Sequence, residues 1–221
     1  MPAPIIVLEG LDACGKSTQT ELLIQSLREK KLCVAWKRFP GYKVTTAGKK
    51  IAAYLRGEMG DFHQVDPKVI ASLYAADRMM QMEEIESLRA ENDVVIFDRG
   101  VSSNLIYTPA RGKNQAESAD LEAFVETLEY NFFGFPRESL VIFLDASPMA
   151  REKIHAAKNR PADLHENDNE YLLRVQKQAL QRCEKDFRWI CLSVDRGGEI
   201  RRREEISEEI FSIVLEKLQL N

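Results

Sequence analysis

GLDACGKST, at residues 10–18, is the stretch of sequence that decides the fold. It sets two glycines, a lysine and a hydroxyl at the offsets of the phosphate-binding pattern GxxxxGK[ST]. The apolar run IIVL precedes it at 5–8, and a helical pattern follows from Thr18 to Lys30. A plain glycine turn between a strand and a helix has no need of a lysine and a hydroxyl at those offsets. This context therefore predicts a loop that holds the phosphates of a nucleotide.

The residues of this loop have separate expected roles. Gly10 and Gly15 let the backbone curl so that its N–H groups point at the β-phosphate, and the following helix adds its positive end. Lys16 would reach the β- and γ-phosphates, and Ser17 would ligate Mg²⁺. The predicted ATP-binding residues are Gly10, Leu11, Asp12, Ala13, Cys14, Gly15, Lys16, Ser17 and Thr18.

Further apolar runs indicate a sheet that is buried on both faces. They are continuous rather than alternating, which is typical of parallel strands covered by helices. They lie at 32–36, 94–97, 140–144 and 189–194. Together with IIVL they predict a three-layer α/β fold of the P-loop NTPase type, a five-stranded parallel sheet flanked by helices, in one domain over 1–221.

Capping residues and apolar periodicity predict where helices begin and end. Asp66 before Pro67 opens a long helix, and Ser147 before Pro148 opens a shorter one. The long helix and two further periodic helices are predicted over 66–91, 170–186 and 203–218.

Composition narrows the class of partner. The 221 residues are 44% hydrophobic and carry a net charge of -4, which argues against a nucleic-acid polymer because such a partner needs a basic stripe. The N-terminus has no basic leader, and IIVL is too short to span a membrane. Four scattered cysteines are expected to be buried free thiols of a reducing cytoplasm: Cys14, Cys33, Cys183 and Cys191.

A second motif, VVIFDRG at 94–100, is an apolar strand that ends in Asp98 and Arg99. An aspartate there faces the phosphate loop across a neighbouring strand end, where it can hold the Mg²⁺ shell or accept a proton from the acceptor. One sequence does not separate those roles. Arg99 beside it indicates an acceptor that is itself anionic. The alternative is a capping carboxylate beside a surface charge.

Tyr74 and Arg78 lie four residues apart on the predicted long helix and so share one face. An aromatic ring and a guanidinium on one face could stack on a flat base and donate hydrogen bonds to its edge. The alternative is a core tyrosine beside a solvated arginine.

Several motifs in this order resemble the thymidylate kinase family of P-loop nucleoside monophosphate kinases. The segments that carry the resemblance are VLEGLDACGKSTQ (7–19), KRFP (37–40), TAGKKIAAYL (46–55), LYAADR (73–78), VVIFDRGVSS (94–103) and EYLLRV (170–175). The resemblance implies transfer of the γ-phosphoryl of Mg-ATP to dTMP, giving dTDP and ADP in dTTP biosynthesis. It also implies an enzyme that commonly pairs as a homodimer.

The resemblance implies a role for individual residues as well. Asp98 would lie at the acceptor phosphate and the metal, with Ser17 as the other metal ligand. Tyr107 would leave no room for a ribose 2′-hydroxyl, which favours a deoxynucleotide. The implied substrate-binding residues are Asp12, Phe39, Pro40, Tyr74, Arg78, Arg99, Ser103 and Tyr107.

The chain departs from the family pattern at three places. Gly100 stands where a tyrosine or histidine is usual, and 41–43 lack an arginine that often follows the Phe-Pro pair. Ala13 puts no charge in the phosphate loop, so the catalytic cation is expected from the lid. The lid is predicted at about 155–168, a range that includes the polar segment 156–168. A second polar segment, 108–116, is predicted to be a loop.

The candidate catalytic cations near the lid are Arg160 first and Arg151 next, with Lys153 and Lys158 as further basic residues. Together with Lys16, Asp98 and Arg99, the two arginines complete the predicted catalytic set. Adenine is expected between the base of the lid and residues 195–198. Two rival functions are a deoxynucleoside kinase and a P-loop regulatory protein that hydrolyses slowly. Some dUMP activity is also expected.

Overall fold

A computed structural model of the chain describes residues 2–61, 64–158 and 168–219. Its main sheet is parallel, with five strands in the order β2-β3-β1-β4-β5. The strands are β1 (Ile5–Gly10), β2 (Val34–Arg38), β3 (Val94–Asp98), β4 (Leu140–Asp145) and β5 (Trp189–Ser193). A small antiparallel hairpin follows, β6 (Asp195–Arg196) and β7 (Glu199–Ile200). The five predicted strands and the α/β fold class are confirmed.

The described α-helices alternate with the strands and cover the sheet. They are α1 (Lys16–Glu29), α2 (Thr46–Leu55), α3 (Pro67–Met79), α4 (Met82–Glu91), α5 (Val101–Tyr107), α6 (Gln115–Glu126), α7 (Pro148–Lys158), α8 (Asn169–Lys185) and α9 (Arg203–Leu218). A short 3-10 turn (Pro109–Arg111) precedes α6, and a π-helical turn (Thr127–Phe132) extends it.

Two hydrophobic cores lie on opposite faces of the sheet. Alternate residues of β1 enter them: Ile5 and Val7 pack with α3, α5 and α8, while Ile6 and Leu8 pack with α1, α7 and α9. Both faces of the strand are therefore buried, which explains why its sequence is continuously apolar. The three layers hold the carboxyl ends of the strands together at one edge.

The long helix predicted over 66–91 is wrong, because the chain breaks into α3 and α4 near Gln81. The backbone N–H of Gln81 bonds to the carbonyl of Arg78 instead of that of Asp77. The Gln81 side-chain amide donates to the Asp77 carbonyl at 3.0 Å and so takes the place of the helical bond. The start was predicted correctly: the Asp66 side chain accepts from the Lys68 N–H, with Pro67 as the first helical residue.

The predicted loop over 108–116 is partly wrong because α6 begins at Gln115. The Asn114 side chain accepts from the Glu117 N–H at 2.9 Å, and the Glu117 carboxylate accepts from the Lys113 N–H at 2.8 Å. This reciprocal cap starts the helix inside a run of turn-forming residues. Helix α7 likewise extends to Lys158 in the predicted polar loop over 156–168; residues 159–167 lie outside those that the structure describes.

The cysteines are free, as predicted, but they are not uniformly buried. Cys14 is buried and Cys183 is half-buried, whereas Cys33 and Cys191 are exposed. Cys33 lies in the link before β2, and Cys191 points away from the core on the outermost strand β5. Among the described residues, no helix has the length and apolar character needed to cross a membrane.

Candidate active site

The sheet order brings the phosphate loop and the second motif together. Strand β1 lies between β3 and β4, and Leu8 pairs in register with Asp98. The loop after β1 and the residues after β3 therefore share one edge, above which lies a cavity of about 340 Å³. The predicted residues that line it are Asp12, Ala13, Cys14, Gly15, Lys16, Ser17, Phe39, Pro40, Tyr74, Asp98, Arg99, Ser103 and Tyr107.

The phosphate loop needs glycine at two positions. A Cβ on Gly10 would lie 2.6 Å from Cys14 Sγ and 2.8 Å from the Leu144 carbonyl oxygen, and its φ is 152°. Gly15 caps α1 with φ 93°. Both values lie where side chains are rarely accommodated. The helix N-terminus is thereby aimed at the cavity.

The side chains of the loop are arranged around Lys16. Its Nζ donates to the carbonyls of Gly10 and Leu11, each at 2.8 Å. Burial raises the pKa of the Cys14 thiol, and the nearby Lys16 charge opposes that shift only in part, so Cys14 stays neutral. Gly10, Leu11 and Thr18, three predicted ATP-binding residues, do not line the cavity.

Arg99 is a cation of the site that two carboxylates anchor. It adopts a left-handed backbone, φ 67°, at the turn between β3 and α5. Its guanidinium donates to Glu9 Oε1 and Asp12 Oδ1, each at 3.0 Å, and lies 5.4 Å from the Tyr107 ring centroid. Burial alone would lower the pKa of Arg99, but Tyr107, Asp12 and Glu9 outweigh it and hold that pKa well above its ordinary value. The guanidinium is therefore charged and fixed in direction.

Glu9 is a residue that sequence reasoning missed. It is fully buried and accepts from Arg99, from the Ser102 hydroxyl at 2.9 Å and from the Ser103 hydroxyl at 2.6 Å. A glutamate that ends an apolar strand is the signal that could have found it, because a buried carboxylate requires partners.

Arg38 was also missed, although it lies directly between the two predicted metal ligands. Its NH2 is 2.8 Å from Ser17 Oγ and 2.6 Å from Asp98 Oδ2, and its Nε donates to the same Asp98 oxygen at 2.7 Å. Two oxygens that converge on one cationic nitrogen fit a hard cation such as Mg²⁺, which takes few protein ligands and keeps several waters. Ser17 and Asp98 therefore suit the metal.

Arg78 does not line the cavity, although Tyr74 on the same helix does. Its side chain is 1% exposed; Nε donates to Glu129 Oε2 at 3.0 Å and NH1 to the Gly100 carbonyl at 3.2 Å. NH2 bonds to Glu129 Oε1, which also accepts from the Asn104 amide at 2.8 Å. Arg78 therefore lies outside the cavity lining, whereas Asn104, which bonds to the same Glu129, is one of the lining residues.

Of the two arginines predicted as catalytic cations, the structure describes Arg151 but not Arg160. Arg151 is 8% exposed, and within the described part of the chain its Nε has no hydrogen-bond partner. Burial lowers the pKa of Arg151. Arg160 lies outside the described residues. Lys153 donates to the Gly198 carbonyl at 2.8 Å, which ties the β6–β7 hairpin to α7 at the base of the predicted lid.

The fold and the loop define the class of protein. A parallel sheet with GxxxxGKS after β1 and an aspartate at the end of β3 is the arrangement of an ATP-dependent P-loop phosphotransferase. A family model described as Thymidylate kinase matches residues 8–204. The chain belongs to the thymidylate kinase family, and its activity is that of a nucleoside monophosphate kinase.

Individual relatives agree with this assignment. The thymidylate kinase of Mycobacterium tuberculosis (strain CDC 1551 / Oshkosh) is 30% identical over 198 residues, which cover 86% of this chain and 92% of that protein. The thymidylate kinase of Schizosaccharomyces pombe is 31% identical over 186 residues, covering 83% and 78%. The structure of thymidylate kinase from Candida albicans matches 99% of this chain and 93% of that one, with a TM-score of 0.74 and 23% identity. The function predicted from the motifs is confirmed.

Proposed function

We propose that the chain transfers the γ-phosphoryl of Mg-ATP to dTMP as a single kinase domain over 1–221. The observation that carries this proposal is the shared cavity, in which Lys16 of the phosphate loop and Arg99 beside the aromatic wall face one space. A donor triphosphate and an anionic acceptor can therefore meet in that space.

ADP release with a panel of acceptors tests the proposed reaction. We expect stimulation by dTMP and a weaker one by dUMP, since one methyl group in an apolar pocket is worth about 10–200-fold in kcat/KM. Stimulation by nucleosides alone would favour a deoxynucleoside kinase, and no stimulation would favour a regulatory protein.

Ser17 and Asp98 are proposed to hold the metal. When bound, Mg²⁺ would neutralise charge that develops on the transferred phosphoryl group. Asp98 is 4% exposed, so the surrounding residues hold it in one place. Lys16 would contact the β- and γ-phosphates of the donor, and Arg99 would contact the acceptor phosphate. Glu9 and Asp12 anchor the Arg99 guanidinium, which supports the proposal that Arg99 keeps its position during phosphoryl transfer.

The acceptor base and sugar are proposed to lie against the aromatic wall. Phe39 and Pro40 would wall the base and Tyr74 would stack on it, since all three line the cavity. Ser103 would lie beneath the sugar beside Tyr107. Arg78 would act on the base edge indirectly: it bonds to Glu129, which accepts from Asn104, and Asn104 lines the cavity. Adenine is proposed near the β6–β7 hairpin.

Replacing Tyr107 by leucine is expected to weaken discrimination against ribonucleotides. The Tyr107 ring lies 6.2 Å from that of Tyr171 and is covered by Arg99, so it does not move aside for a 2′-hydroxyl. The kcat/KM ratio of dUMP to UMP should fall by about tenfold in Tyr107→Leu, a value within the range for small groups in a pocket. Tyr107→Phe keeps the ring and should leave the ratio unchanged. An unchanged ratio in Tyr107→Leu would contradict the role.

Replacing Arg160 by alanine is expected to lower kcat by about 10³-fold or more, with a much smaller rise in KM for ATP. Ala13 supplies no charge to the phosphate loop, so the transition state needs a cation from elsewhere. Arg151→Ala tests the second candidate, whose buried and incompletely bonded guanidinium supports it. A variant whose kcat stays within about threefold of wild type, a barrier change below about 1 kcal/mol, would remove its residue from the catalytic set.

We also propose a cytoplasmic homodimer. Partly exposed apolar side chains on and after α3 support a helix-mediated pairing: Val69, Met79 and Met80. The free cysteines support a reducing compartment. Sedimentation velocity tests the oligomeric state.

A further inference from the structure

We propose that Arg38 links the metal site to the acceptor site: its guanidinium is held by the two metal ligands and passes to the acceptor phosphate when those ligands take the metal. This inference rests on the proposed function. It assigns Arg38 as a phosphate-binding residue and makes donor and acceptor binding depend on one another.

A metal held by Ser17 Oγ and Asp98 Oδ2 would need the two oxygens that Arg38 now binds. Both Nε and NH2 of Arg38 bond to Asp98 Oδ2, at 2.7 and 2.6 Å, and NH2 bonds to Ser17 Oγ at 2.8 Å. Mg²⁺ accepts oxygen ligands at about 2.0–2.1 Å in octahedral geometry and does not share them with a guanidinium in that position. The two cations therefore compete for Asp98 and Ser17.

Arg38 is the partner that can move. Its side chain is 48% exposed, whereas that of Asp98 is 5% exposed. Its Cζ lies 5.7 Å from the ring centroid of Trp36, two residues earlier on β2, which is itself exposed. Arg38 also lines the cavity, so a guanidinium that leaves Asp98 remains beside the space for the acceptor.

The charges of the cavity explain why the acceptor phosphate would bind Arg38. The Arg99 guanidinium is already balanced by two carboxylates, Glu9 and Asp12, at 3.0 Å each. Lys16 serves the donor side. A monophosphate carries close to two negative charges at neutral pH. Arg38 loses its carboxylate partner in the exchange, and its planar fork matches the oxygens of a phosphate.

The exchange predicts a reciprocal coupling between the two substrates. In wild type, Mg²⁺ with a nonhydrolysable ATP analogue should raise dTMP affinity by at least about fivefold over the analogue with EDTA, the lower end of typical coupling. In Arg38→Gln that factor should fall to about one. The same variant should show a larger enhancement of analogue binding by Mg²⁺ without dTMP, because Asp98 and Ser17 no longer hold a competing cation.

Calorimetric titration of both ligands measures these effects. The two expected changes have opposite signs, whereas a structural defect would weaken both kinds of binding. Arg203→Gln, a 71% exposed arginine at the start of α9, is the matched control and should behave as wild type. Retained coupling in Arg38→Gln, or a smaller enhancement by Mg²⁺, would overturn the inference alone. A wild type that binds no Mg-nucleotide would overturn the proposed function and this inference together.

Discussion

Lys16→Met should lower kcat by about 10²–10³-fold, the loss typical when one preorganised transition-state contact is removed. In the structure Lys16 Nζ donates to two neutral carbonyls at 2.8 Å and forms only a long ion pair, at 4.0 Å, with Asp12 Oδ1. The ammonium is thus available to a phosphate that develops charge during transfer. Methionine keeps the length and apolar volume of the side chain but removes the charge.

Steady-state kinetics with dTMP measure this effect, and thermal unfolding shows whether the variant is folded. Lys49→Met is the control, because Lys49 is an exposed lysine on α2 outside the cavity lining. Its kcat should equal that of wild type. A Lys16→Met enzyme that keeps a third or more of wild-type kcat, while still folded, would contradict the role of the lysine.

The parts of this protein that the sequence predicted correctly rest on local spacing. The P-loop is one contiguous motif, and each strand is a short apolar run between turn or helix signals. The residues that determine each of these elements therefore lie within about ten positions of one another. The break between α3 and α4 near Gln81 also has a local cause, but the apolar spacing does not show it. A side-chain amide competes with the backbone for one carbonyl, and helical periodicity does not register that competition.

The site contacts that were missed join distant parts of the chain. Arg38 and Asp98 are 60 residues apart, Glu9 and Arg99 are 90 apart, and Arg78 and Glu129 are 51 apart. No periodicity connects such pairs, so their pairing depends on the order of strands in the sheet. The resemblance to a family identified one member of each pair, but the partner that holds it required the fold.

Glu129→Gln should destabilise the protein by about 3–5 kcal/mol, because it leaves a buried guanidinium without its counter-charge. The side chains of Glu129 and Arg78 are each 1% exposed, and two nitrogens of Arg78 bond to the carboxylate. Burial alone would lower the pKa of Arg78, and Glu129 outweighs that effect, so the arginine is charged. For a chain of this length the loss corresponds to a fall in Tm of about 6–20 °C.

Glu126→Gln, three residues earlier on the same segment, is the matched control. Its carboxylate pairs with Arg182 but is 36% exposed, so its loss should cost at most about 1 kcal/mol. The double variant Arg78→Met/Glu129→Leu removes both charges and should recover most of the stability, because apolar replacement of a buried pair is often neutral. Urea unfolding of wild type, Arg78→Met, Glu129→Leu and the double variant measures the coupling between the two residues, and the same unfolding measurement compares Glu129→Gln with Glu126→Gln.

The same variants distinguish two roles for Arg78, an indirect role in binding the base and a purely structural role. If Arg78 acts on the base through Glu129 and Asn104, the double variant should regain stability while KM for dTMP stays raised, since Asn104 has lost the carboxylate to which it donates. A double variant that recovers both stability and KM would make Arg78 a purely structural residue. A Glu129→Gln protein as stable as Glu126→Gln would contradict the buried pair itself, because an uncompensated charge in this core cannot be free of cost.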